Sequence, residues 1–235
     1  MEVLKDSVLE TLWPSRCAVC DAPGDLICGS CHRELEFIDQ WAACPRCGSP
    51  FGFYECCDCN PYALQLNGYE RLSFDSCTSA VLMGKDSGRI IVVYKDQGDR
   101  KLAFYIARMM YKAFNPAILR QMDACSFVPA SNKAFKRRGF DHMELIAHEF
   151  SKGTGLPMRK LFLRPQAFDQ RKLGRVERFQ NLQHSLRVAP RICLPQKILL
   201  LDDTFTNGST LLAAANALKA AGALEVHCLT FARVM

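Results

Sequence analysis

Four Cys-x2-Cys pairs fall between Cys17 and Cys59: Cys17 with Cys20, Cys28 with Cys31, Cys44 with Cys47, and Cys56 with Cys59. Two residues between thiolates let both sulfurs of one tight turn reach the same ion. A second such turn completes a tetrahedral sulfur site that suits zinc. The eight cysteines therefore imply two metal-built knuckles instead of an ordinary apolar core. Adjacent pairs would make two successive ribbons, the arrangement favoured here because each half holds a complete set within a short loop; alternate pairs would interleave as a cross-brace. Cys57 is the odd thiol, since only Cys56 keeps the two-residue spacing to Cys59.

Nine of the 13 cysteines lie in this head and the other four are scattered singly. The N-terminal MEVLKDSVLETLWP mixes acidic residues into an amphipathic pattern, without the basic start and apolar run of a signal peptide. No stretch has the length of a membrane span. The chain therefore reads as cytoplasmic, and its paired thiols as metal ligands and not disulfides. Charge divides the chain at the same place. Residues 1–67 carry 4 Lys/Arg and 10 Asp/Glu, net −6, whereas residues 68–235 carry 26 against 14, net +12. We expect a cysteine-rich domain over 1–67 and a second domain over 68–235. The acidic head is a poor phosphate binder by itself, and polyanions are drawn to the basic body.

After residue 67 strand and helix signals alternate, the pattern of an α/β layer with mainly parallel strands. Strands are expected at Thr78–Met83, Ala124–Ala130, Met158–Pro165, over the ILLL run from Ile198, and in LEVHCLTFA near the C-terminus. Helical spacing marks RIIVVYK and RKLAFYIARMMYKAF before the break at Asn115 and Pro116, then a helix from Asp141 to about Gly153, and STLLAAANALKAAG ended by Gly222. The polar, basic stretch from Gln166 to His184 has no apolar period and reads as a loop.

KILLLDDTFTNGSTLL, Lys197 to Leu212, joins a buried strand to a helix through a short polar loop. In such an arrangement backbone N–H groups and the positive helix end converge on an anion. Thr206, Asn207, Gly208, Ser209 and Thr210 would form the cradle for a monophosphate. The lysine of a Walker loop is missing, which weighs against a nucleoside triphosphate. Asp202 and Asp203 come just before the cradle, where open parallel sheets bind ligands. Two carboxylates there suit vicinal hydroxyls or a hydrated magnesium ion, so the whole stretch describes a ribose 5-phosphate site.

LLLDDTFTNGST resembles the phosphoribosyl-pyrophosphate (PRPP) signature of type I phosphoribosyltransferases. Four further stretches narrow the resemblance to the ComF/ComFC family of competence-associated proteins: LWPSRCAVC with its zinc-ribbon head, YKDQGDRKLA, VPASNKAFKRRGFD and QRKLGRVERFQN. Asp141 and His142 stand where that family usually has asparagine and glutamine. The resemblance implies a Rossmann-like phosphoribosyltransferase sheet behind a double zinc ribbon, two structural zinc ions, and PRPP bound with magnesium. It implies that Asp202 and Asp203 contact the ribose directly or through magnesium, and that residues 206–210 hold the 5-phosphate. Arg137 and Arg138, beside the turn allowed by Gly139, would meet the pyrophosphate ahead of Lys133 and Lys136. Arg178, with Arg171, Lys172 and Arg175, would belong to a loop closing over the substrate.

No general base announces itself. His142, His148, His184 and His227 read as structural, and Cys77, Cys125, Cys193 and Cys228 as core cysteines. Phe135, Phe140, Phe168 and Phe179 lie near basic segments and are candidates for stacking on bases, although core packing is their more common fate. Two functions follow. One is a magnesium-dependent phosphoribosyltransferase with an unknown acceptor; the other is a protein that keeps the PRPP fold and handles single-stranded DNA in natural competence and DNA uptake, alongside other competence proteins.

Overall fold

The run KILLLDDTF forms a strand whose successive side chains serve two separate cores. In the computed structural model, which describes residues 14–66, 68–165 and 186–235, the head contains helices α1 (Gly29–Arg33) and α2 (Pro61–Leu66). The body follows with β1 (Ser76–Leu82), α3 (Lys85–Lys95), α4 (Leu102–Ala113), α5 (Pro116–Leu119), β2 (Ala124–Phe127), α6 (Asn132–Arg138) and α7 (His142–Thr154). Beyond residue 185 come β3 (Lys197–Phe205), α8 (Ser209–Ala220) and β4 (Glu225–Arg233). All strand pairs are parallel, in the order β1-β4-β3-β2.

Side chains of a strand alternate between faces, and the two cores follow that alternation. Leu199 and Leu201 join Val81, Leu229 and Phe231 under α4 and α7, against Ile106, Met110, Met143 and Ile146. Ile198 and Leu200 join Val226 and Cys228 under α8, against Leu211 and Leu218. Burial on both faces explains the unbroken aliphatic run of β3. Helix starts are fixed locally. Asn115 accepts from the Ala117 N–H ahead of Pro116, and Ser131 accepts from the Ala134 N–H. The buried Asp141 caps α7 by accepting from the N–H groups of Met143 and Glu144.

Head and body meet along the outer edge of the sheet. Residues 36–40 run beside β1, with Leu82 N–H donating to the Glu36 carbonyl at 2.8 Å and Ile38 N–H to the Ala80 carbonyl at 3.1 Å. Gln40 adds a side-chain bond to the Ser79 carbonyl at 3.0 Å. The free edge of β1 is thereby covered, as exposed strand edges generally are.

Two expectations change, for Met158–Pro165 and for Cys193. Met158–Pro165 forms isolated bridges, Met158 to Cys125 and Phe162 to Val188, and not a strand, because each pairing partner reaches it for only a residue. Cys193 is exposed, while Cys77, Cys125 and Cys228 are buried as expected. Phe140 is buried in the core and Phe135 is partly exposed with the Arg164 guanidinium 4.1 Å above its ring. Phe168, Phe179, His184 and the loop expected from Gln166 to His184 lie outside the described residues. Among those described, no helix is long and apolar enough to cross a membrane.

Candidate functional site

The cysteines assemble as two successive sets. The sulfurs of Cys17, Cys20, Cys28 and Cys31 lie within 4.8 Å of one another, and so do those of Cys44, Cys47, Cys56 and Cys59. Individual separations are 3.7 Å for Cys20–Cys28, 3.6 Å for Cys44–Cys59 and 3.4 Å for Cys47–Cys56. A tetrahedron with zinc–sulfur distances of about 2.3 Å has edges of about 3.8 Å, so both sets have the size of a four-thiolate zinc site. Cys57 is exposed and belongs to neither.

In the body, β3 continues past its aliphatic run to Phe205, so Asp202 and Asp203 lie within the strand and not after it. Both are buried. The pleat directs successive side chains to opposite faces, which separates the two carboxylates expected to act together. Asp203 lies on the face of α7, where its carboxylate is ion-paired with Lys95 at the end of α3 and is 3.0 Å from His142 Nε2. His142 Nδ1 is 3.3 Å from Arg138 Nη1. Burial, followed by the charges of Lys95 and Arg138, holds the imidazole pKa down to about 2. The ring is therefore neutral. Because Arg138 can only donate and Asp203 accepts, Nε2 carries the proton and Nδ1 accepts.

Asp141 holds this arrangement in place. Its Oδ2 accepts from the Ala130 N–H at 3.0 Å and pairs with Arg164 Nη1 at 3.0 Å, while Oδ1 caps α7 at its first turn. His142 is thus fixed at the start of a capped helix. Asp202 is buried toward the other face, and its Oδ1 accepts from the Asp203 N–H at 2.9 Å. Burial pushes its carboxyl pKa up to about 7, with the Lys95 ammonium pulling the other way.

The polar loop opens α8 as expected. Thr206 and Asn207 are exposed, Gly208 is buried, and Ser209 and Thr210 are half-buried. Asn207 Oδ1 accepts from the Ser209 N–H at 3.1 Å. Gly208 has φ +74, and a Cβ there would sit 2.7 Å from Phe205 Cζ. Only glycine allows both that backbone and the close ring, so the loop is pressed onto Phe205.

Beside Asp203 opens a cleft of about 380 Å³ walled by Lys95, Asp96, Gln97, Gly98, Arg137 and Arg138, with Phe140 at its base. Arg137 is exposed and Arg138 mostly buried. Arg138 Nε is buried without a hydrogen-bond partner among the described residues, and burial lowers the guanidinium pKa. An ion pair with Asp96 Oδ1 at 3.8 Å only partly meets this donor, and the same carboxylate also faces Arg137 at 3.4 Å, so the excess positive charge of the cleft favours an anion. Lys133 and Lys136 are exposed and are not among the cleft residues. Arg178, Arg171, Lys172 and Arg175 lie outside the described residues. Lys95 was not singled out in the sequence, and His142, read as structural, lies against Asp203 and Arg138. The signals were present: Lys95 stands inside YKDQGDRKLA, and His142 is among the departures from the usual family pattern, with Asp141, Ser131 and Asn207.

These features define an open parallel α/β domain with a strand-loop-helix turn after β3, joined to a paired four-cysteine head. The Double zinc ribbon domain family matches residues 8–60. Over both parts, the chain is 24% identical across 217 residues to Competence protein F of Haemophilus influenzae, covering 88% of this chain and 90% of that protein. It is also 24% identical across 209 residues to Competence protein ComFC of Streptococcus pneumoniae, covering 88% and 87%. The resemblance to the ComF/ComFC family is borne out over most of the chain.

Proposed function

We propose that the protein is a competence-associated protein of the ComF type that binds PRPP, or a close ribose 5-phosphate relative, with magnesium. One juxtaposition carries the reading. Asp203 in β3 lies between the Gly208 loop on one side and the cationic cleft of Lys95, Arg137 and Arg138 on the other. A phosphate at the loop and a diphosphate in the cleft would leave the ribose at the aspartates. Lys95 now occupies Asp203 in the way a cation would, and a diphosphate in the cleft competes for that ammonium. Carboxylate oxygens are the donors magnesium takes, and each aspartate would offer them from its own face of β3 instead of both from one side. Magnesium, when bound, would neutralise diphosphate charge.

The chemistry suited to this arrangement is displacement at ribose C1. The C1–O bond to diphosphate breaks with its electron pair leaving on oxygen, and a lone pair of the acceptor forms the new C1 bond. Arg137, Arg138 and Lys95 stabilise the charge that develops on the leaving group. His142 holds Asp203 and Arg138 on its two ring nitrogens, and so links the ribose end of the site to the diphosphate end.

Melting in the presence of PRPP and magnesium tests the reading. At a hundredfold excess over Kd the Tm should rise by roughly 5–10 °C, and Asp202→Ala with Asp203→Ala should abolish the rise. No shift in the intact chain would sink the assignment. The Asp202 carboxyl titrates near 3.9 when unfolded and about 7 when folded. The folded state therefore holds the extra proton between these values, and this group's contribution to stability falls as pH rises through that window. Magnesium competes with the same proton, so the ligand-induced shift should be larger at pH 8 than at pH 6.

A second reading, handling of single-stranded DNA during uptake, is favoured by the +12 body and by Lys133, Lys136 and Arg137 exposed together on α6. Oligonucleotide affinity should then fall steeply with salt; a salt-independent affinity would reject it.

A further inference from the structure

On the other side of the phosphate loop lies a second cavity, of about 300 Å³, at the seam between the second ribbon and the sheet. Leu64, Leu72 and Phe205 give it apolar walls, and Thr206, Asn207 and Arg233 line its polar part. It shares no lining residue with the cationic cleft. The topology explains why. The ribbon covers the β1 edge and Arg233 ends β4, whereas the cleft is built from α3 and from α6, which follows β2. The loop of residues 206–210 ends β3, between β4 and β2, so it stands between the two cavities.

Arg233 joins the ribbon to this loop. Its Nη1 donates to the Cys47 carbonyl at 2.8 Å and its Nη2 to Asp58 at 2.7 Å, while its guanidinium lies 4.1 Å from the ring centroid of Phe205. Asp58 offsets the guanidinium charge at the seam. Its Nε is buried with no hydrogen-bond partner among the described residues. A cavity in which a few apolar walls stand beside convergent polar groups is the pattern of a small-molecule subsite.

We infer that the seam cavity takes a nucleoside attached through the phosphate held at residues 206–210, so that the preferred ligand is a phosphodiester and not a terminal phosphate. The inference rests on the phosphate reading of that loop. A site made for a terminal 5-phosphate needs no room beyond the loop, whereas this loop is exposed at Thr206 and Asn207 to a cavity that can hold a planar base. Apolar walls take the faces of the base, and the exposed Thr206 hydroxyl and Asn207 amide are available to its edge. The ribbon therefore supplies part of the ligand site, beyond its role as a scaffold.

Calorimetric titration of the full chain with uridine 5′-monophosphate and with the dinucleotide UpU tests this, since UpU adds a nucleoside beyond the phosphate while making it a monoanionic diester, a charge loss that by itself would weaken binding at the loop. UpU should bind at least roughly fivefold more tightly, given ~1–3 kcal/mol per stacked base. Ala63→Phe and Met235→Trp each fill the cavity from a different wall and should remove the advantage while leaving the monophosphate affinity unchanged. Equal affinity of the two ligands, or an advantage that survives both variants, overturns the seam site. Failure of both ligands to bind instead overturns the phosphate assignment on which it stands.

Discussion

The two ribbons carry the same Cys-x2-Cys spacing but are fastened to the body by different interactions. The first is attached through apolar packing: Ala18, Ile27 and Leu35 enter the core under α4 with Ala103 and Ile106. Of its cysteines only Cys17 is buried, Cys28 and Cys31 are half-buried, and Cys20 is exposed. The second buries Cys44, Cys47 and Cys59 as a small core of its own. It meets the sheet through backbone and charge. Gly48 lies so close to β1 that a Cβ would be 2.4 Å from the Cys77 carbonyl oxygen, and Arg233 ties Cys47 and Asp58 to Phe205 and hence to the phosphate loop. Equal metal chemistry thus has unequal reach: the first knuckle braces a helix, and the second braces the candidate ligand site.

The largest effect should come from breaking each knuckle in turn. Cys47→Ser opens the second set at the residue whose carbonyl holds Arg233, and Cys20→Ser opens the first at its most exposed ligand. Structural zinc sites supply folding energy for the loops they close, so each variant should lose about one zinc. Ribose 5-phosphate affinity should fall roughly tenfold for Cys47→Ser, within the usual range of coupling between sites. It should stay nearly unchanged for Cys20→Ser. Metal analysis with calorimetry reads both quantities, and equal losses of affinity would erase the distinction between the ribbons.

What the sequence made legible follows the range of the interactions. The cysteine sets and the Asp202–Thr210 stretch are local, and their spacing alone conveys their chemistry. The helix start at Asp141 was equally readable, because a cap acts over three residues. The pairing of Lys95, His142 and Asp203 was not, since α3, α7 and β3 meet only after the sheet has formed. The aspartates show the limit within a local motif. Their place after four aliphatics suggested a strand end, yet pairing of Asp202 with Thr230 and of Phe205 with Arg233 carries β3 onward. That longer register comes from β4, which is distant in sequence. The attachment of residues 36–40 to β1 was hidden for the same reason: an edge is vacant only once its neighbours are known.

The smallest effect tests the first ribbon's independence from the ligand site. His32 Nδ1 is 2.7 Å from the Tyr105 hydroxyl, and their rings meet edge-on with centroids 6.0 Å apart. Burial, with Cys17 and Cys31 nearby, raises the phenol pKa, so Tyr105 stays protonated and donates to the imidazole. Tyr105→Phe keeps the ring contact and removes this single bond, at an expected cost of about 0.5–1.5 kcal/mol in urea unfolding. Ribose 5-phosphate affinity should not change, because nothing in this contact touches Arg233, Phe205 or the loop. A weakened affinity in Tyr105→Phe would mean that the first ribbon also acts on the phosphate loop, through α4 and the shared core, and the contrast between the two knuckles would then be one of degree.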